Sequence, residues 1–117
     1  MNICLILDNP ETPHHPVIGS ALQHLRRNHT VRLLDVNSLS FAEALAEEER
    51  YPLADLYLLK SHAPQALELA RELETRDALI VNSWAATLAC QDRVLMAERM
   101  RTAQLPWPRT WDFASLA

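Results

Sequence analysis

Lys60, Ser61 and His62 stand together where an apolar run gives way to Pro64, an order of residue types that suits an anion. A lysine at a strand end supplies a point charge, and a hydroxyl at a helix start adds a hydrogen bond beside the helix's positive end. A plainer account fits the same residues: Lys60 solvated, with Ser61 or His62 capping the helix that Pro64 opens. Asp8 and Asn9 follow a second apolar run, Asp35 and Asn37 a third, and Asn82 and Ser83 a fourth. The histidines offer less. His14 and His15 are adjacent, while His24, His29 and His62 lie in separate segments, so no three converge as a zinc site requires. They read as surface or capping residues. Cys4 and Cys90 sit far apart in apolar stretches, which predicts two buried free thiols in a reducing compartment rather than a CxxC pair or a nucleophile beside a histidine. The acidic run Glu47, Glu48 and Glu49 reads as a solvated helix end, because paired catalytic carboxylates need burial to separate their pKa values.

These groups need a scaffold, and the pattern supplies one. Asn2 to Asp8 is a continuous branched apolar run, as expected of a strand buried on both faces. The segment from Asp8 to Pro16 carries three prolines and no periodicity, so it is a loop. Val17 to Arg27 has helical spacing, with cations near its carboxyl end. Thr30 to Val36 is a second strand. Ser40 and Glu43 form a capping box ahead of a short acidic helix that Pro52 ends. Ala54 to Lys60 is a third strand, and Ala66, Leu67, Ala70 and Leu73 mark the buried face of the helix after it. Ala78 to Val81 is a fourth strand. A short helix over 84–89 and a longer one over 92–104 follow, stopped by Pro106 and Pro108.

Strand and helix alternate with no hairpin signal, which predicts a three-layer α/β/α domain around an open, mainly parallel four-stranded sheet. The expected order is 2-1-3-4. Ligands of such sheets bind beyond the carboxyl ends of the strands, where Asp8, Asn9, Asn37, Lys60, Ser61, His62, Asn82 and Ser83 would gather. Composition narrows the field further. The 117 residues contain one glycine, Gly19, too few for a dinucleotide fingerprint or a P-loop. A net charge of −4 gives no basic footprint for nucleic acid. No signal peptide and no apolar run of roughly 18–20 residues is visible, so no membrane partner is expected and the chain reads as cytoplasmic. Trp84, Trp107 and Trp111 gather toward the carboxyl end, either as an exposed patch or as a lid folded back on the last helix.

The stretch from Val81 to Thr110 resembles the end of the N-terminal domain of ATP-grasp ligases, most like the RimK-type glutamate ligases. The shared pattern is a strand ending in Asn82, a short helix, an acid–base pair at Asp92 and Arg93, and an exit through Leu105, Pro106, Trp107, Pro108, Arg109 and Thr110. Arg93 stands where that family has a lysine directed at nucleotide phosphates, and Gln104 stands where it has glycine. The resemblance implies a Rossmann-like pre-ATP-grasp domain over 1–110, with 111–117 opening a linker to ATP-grasp domains absent from this chain.

On that resemblance the chain is the substrate-side part of a carboxylate–amine ligase and holds no catalytic residue or metal ligand of its own. ATP and Mg²⁺ belong to the implied full-length enzyme. Lys60, Ser61, Asn82, Asp8 and Asn9 would touch a small-molecule or peptide carboxylate, and Arg93 the nucleotide. The implied partners are the downstream domains of the same polypeptide, and exposed Trp107 and Trp111 would suit a homodimer. The alternative is a self-contained non-enzymatic module that binds a small anion or a protein.

Overall fold

The computed structural model describes residues 1–108. Its sheet is parallel throughout, in the order β2-β1-β3-β4, as the alternation of strand and helix predicts. The strands are β1 (Asn2–Leu7), β2 (Thr30–Asp35), β3 (Leu56–Lys60) and β4 (Ile80–Val81). β1 carries five successive buried residues, Ile3 to Leu7, because neighbouring strands flank it and both of its faces are covered. Along it the side chains alternate between two cores. Cys4 and Ile6 join the larger core under α2 (Phe41–Glu49) and α3 (Pro64–Thr75), whereas Ile3, Leu5 and Leu7 join the smaller one under α1 (Pro16–Leu25). Helices α4 (Trp84–Gln91) and α5 (Arg93–Thr102) follow β4, with Trp84 half-buried against the larger core. Beyond α1, the same face of the sheet leaves Val81 half-exposed beside partly buried Leu58.

Local chemistry sets the helix ends. Ser40 Oγ accepts from the Glu43 N–H at 3.1 Å, the serine half of the expected capping box. At α3 the expected cap differs. Ala63 is the N-cap residue, without a side-chain bond, and Ser61 Oγ instead accepts from the Ala63 N–H to form a tight turn before the helix. Helices α3 and α5 end alike. Asp77 (φ 64°) and Gln104 (φ 58°) adopt the left-handed conformation, and the next N–H reaches back to the Leu73 and Met100 carbonyls, respectively. The conformation that favours glycine is thus kept at 104 with glutamine in place. The expected linker over 111–117, Trp111 and Thr110 lie outside the described residues.

The acidic run corrects an expectation. Glu48 is not solvated: it is 3% exposed, turned from α2 onto the sheet. Its carboxylate takes two bonds from the Arg32 guanidinium, at 2.5 and 2.6 Å, and one from the Tyr57 hydroxyl. Strand register explains the convergence, since Arg32, Cys4 and Tyr57 form one row across β2, β1 and β3 on the face that α2 covers. The Cys4 thiol lies 4.0 Å from Glu48, Tyr57 Oη also accepts from the Ala54 N–H, and Arg32 stacks on the Tyr51 ring at 4.6 Å. Bonding to Glu48 holds the Arg32 proton more tightly than usual. Burial first, and then the Glu48 charge, pushes the Cys4 thiol up to about 12. Burial, followed by its bond to Glu48, pushes the Tyr57 phenol up to about 12.

Removing either member of the buried ion pair is therefore costly, but unequally so. Arg32→Ala strands the carboxylate in a dry site and should cost about 3–5 kcal/mol, whereas Glu48→Ala should cost less because Arg32 keeps partial access to water. Urea denaturation at neutral pH measures both. Stability should also fall at alkaline pH. In the unfolded chain the thiol and phenol ionise from their ordinary values of 9.0 and 10.0, while the fold keeps both neutral to about 12. Their contribution is complete below pH 9 and is lost as pH rises toward 12, so the urea midpoint at pH 10.5 should lie below that at pH 8. Tyr57→Phe should make the fall above pH 10 shallower.

Candidate functional site

Chain order places the crevice. From β1 the chain crosses first to β2 on one side and later to β3 on the other, so the loops leaving β1 and β3 part at the carboxyl edge. A cleft of about 450 Å³ opens there, lined by Asp8 and Asn9 after β1, Lys60, Ser61 and His62 after β3, Asn82 after β4, and one face of α4. Asp8, Asn9, Lys60, Ser61 and Asn82 thus come together from three strand ends. Arg93 does not join them; it is exposed at the first position of α5 and lines none of the clefts described. Asn37 shares the sheet edge without reaching the cleft.

The five residues divide by what already engages them. Asn9 Oδ1 accepts from the Glu11 N–H at 2.9 Å, and Ser61 Oγ accepts from the Ala63 N–H at 3.1 Å, so both shape their loops. Lys60, Asp8 and Asn82 make no side-chain hydrogen bond or ion pair among the described residues. A free ammonium, a free carboxylate and a free amide in one cleft can hold a small polar ligand by several directional bonds.

Helix α4 adds Ala86 and Thr87, which the strand-end pattern does not single out. Ser83 caps the helix, accepting from the Ala86 N–H at 3.1 Å, and Ala86, Thr87 and Cys90 continue the face that lines the cleft. Thr87 is 8% exposed, and its hydroxyl has no partner among the described residues. Burying a hydroxyl unpaired costs about 1–3 kcal/mol. The signal is present in sequence as the spacing Ser83, Thr87, Cys90, one helical face in register with the cap. Cys90 is exposed, against the expectation of two buried thiols, because α4 turns this face toward the edge while Cys4 remains inside the sheet. Histidines keep local roles: His15 Nδ1 accepts from the Val17 N–H at the start of α1, and His29 Nδ1 lies 3.1 Å from the terminal amine.

The single glycine holds the cleft's outer wall. A Cβ on Gly19 would meet the Pro13 carbonyl oxygen at 2.9 Å, so only glycine lets α1 press against the turn Thr12–His14. That turn and Asn9 border a second cleft of about 650 Å³, which continues past Lys60 to His14, His15, Val17 and Ile18. Among the described residues no group of three His, Cys, Asp or Glu is placed to hold a metal ion, and no helix is long and apolar enough to cross a membrane.

Set against family models, curated proteins and solved structures, the chain finds no match.

Gly19→Ala should improve helix propensity by about 1 kcal/mol yet leave the protein less stable by about 1 kcal/mol, because the methyl must push a backbone carbonyl aside. Thermal melts give the sign. Amide resonances over 9–15 should move with it, and a stabilised variant with an unmoved loop would show that the contact is slack.

Proposed function

We propose that this α/β unit is the substrate-side domain of an ATP-dependent carboxylate–amine ligase of the ATP-grasp type, and that its edge cleft holds the acid to be joined. One observation carries the reading: Lys60, unpaired among the described residues, stands between two polar strand-end loops in an open cleft. The Lys60 ammonium offers an ionic bond to a carboxylate, Asn82 can donate to its oxygens, and Ser61 keeps its own hydroxyl proton free to donate. The parallel sheet in the order 2-1-3-4 and the proline-bounded exit after α5 support the reading from the side of the fold.

The one glycine is engaged in packing α1, and no acidic cluster is placed for a cation among the described residues. On this reading ATP and Mg²⁺ belong to downstream domains, and this chain binds, orients and partly desolvates the acid. On the same reading Arg93, exposed at the start of α5 and outside the cleft, offers its guanidinium to a phosphate held by those domains.

The natural reading frame should continue past Ala117 into glycine-bearing hairpins, a strand lysine and an acidic Mg²⁺ pair. In that full-length enzyme Lys60→Ala should raise KM for the acid tenfold or more while KM for ATP moves little. Calorimetry of the 117-residue chain with Mg-ATP should show no tight site. Nanomolar binding with turnover by this chain would falsify the proposal, and so would a frame that stops at Ala117, which would favour a self-contained binding module.

A further inference from the structure

The two clefts share Asn9, Thr12 and Lys60, so they form one trough with unlike ends. Strand alternation explains why Lys60 serves both. Leu58 faces α1, and Lys60, two residues on, leaves the sheet toward the same side, where the first turn of α1 lines the second cleft. The register pairs Leu7 with Lys60, so Asp8 and Ser61 leave the sheet level with each other at the ends of adjacent strands. Lys60 and Asp8 are opposite charges that line the same polar cleft and form no ion pair with each other. Past Lys60 the trough turns apolar. Val17 is 69% exposed there, and Ile18 lies beside it, half-buried. An exposed valine in the first turn of a helix contributes little to the core, and its surface is available to a ligand.

A plain anion would satisfy Lys60 but meet the Asp8 carboxylate. A ligand bearing both charges satisfies both, and a short apolar branch from the same carbon would reach the second cleft. We infer that the trough binds an apolar α-amino acid, its carboxylate on Lys60, its ammonium on Asp8 and its side chain along Val17 and Ile18. The inference rests on the proposal that the cleft holds substrate, and it names the substrate class.

Three probes separate the parts: L-leucine, glycine without the branch, and 4-methylpentanoate without the ammonium. Each is titrated into the ¹⁵N-labelled 117-residue chain. Leucine should shift the amides of Val17 and Ile18 together with those of Asp8 and Ser61, and bind at least tenfold more tightly than either other probe. Asp8→Asn should reduce leucine to the level of 4-methylpentanoate, and Lys60→Ala should weaken all three. Val17→Asp, which suits a helix's first turn, should erase the advantage of leucine over glycine. Equal binding of leucine and glycine, or of leucine and 4-methylpentanoate, overturns the inference and leaves the acid-holding cleft standing. Shifts that survive Lys60→Ala, or no shift with any probe, overturn the cleft itself.

Discussion

A carboxylate cannot be taken from water into a protein core unless its oxygens are met, and Glu48 fixes this fold through that demand. Meeting it requires a guanidinium from β2 and a phenol from β3, on either side of the β1 thiol. Three strands must therefore be in register before α2 can seat. Slipping any strand by one residue would turn its member of the row to the opposite face and leave the charge unmet. Apolar contacts supply most of the driving force for burial, but they are non-directional. The Glu48 row is directional, and it ties the position of α2 to the pairing of the sheet.

The consequence reaches the carboxyl edge. With β1 and β3 held side by side, Leu7 and Lys60 end level, and the loops leaving them diverge around the same crevice. The Gln65 amide donates to the Val36 carbonyl at 3.1 Å, tying the start of α3 to the end of β2. A rigid sheet thus presents polar groups on short, internally bonded turns, an arrangement that keeps Asn9 and Ser61 shaping backbone and leaves Lys60, Asp8 and Asn82 for solvent or ligand.

Much of this is legible in the residues themselves. The run Ile3 to Leu7 can be satisfied only by cover on both faces, and the alternation of such runs with helical spacing fixes a parallel sheet. The edge residues follow, because polar residues at strand ends are drawn to one side whenever all strands run the same way. Glu48 is illegible for a definite reason: its burial depends on Arg32 and Tyr57, which converge only after pairing, and a local scan sees three glutamates in a row. Cys90 is misjudged for a related one. An apolar neighbourhood in sequence does not say which side of a short helix will face the core, and α4 buries Thr87 and Ala89 while presenting Cys90. The clefts' shared wall depends on Gly19, whose contact with Pro13 no periodicity announces.

β4 is two residues long, and among the described residues its outer side is an edge of the sheet. A longer edge would offer a row of free amides and carbonyls to any passing extended chain, the usual start of strand addition and fibre growth. Two residues provide too few rungs for that, and α4 begins almost at once after them. The other edge, β2, carries Arg32 and Asp35, charges that an incoming strand would have to accommodate. A sheet so finished discourages growth sideways, so self-association of this protein, where it occurs, falls to its faces and helices.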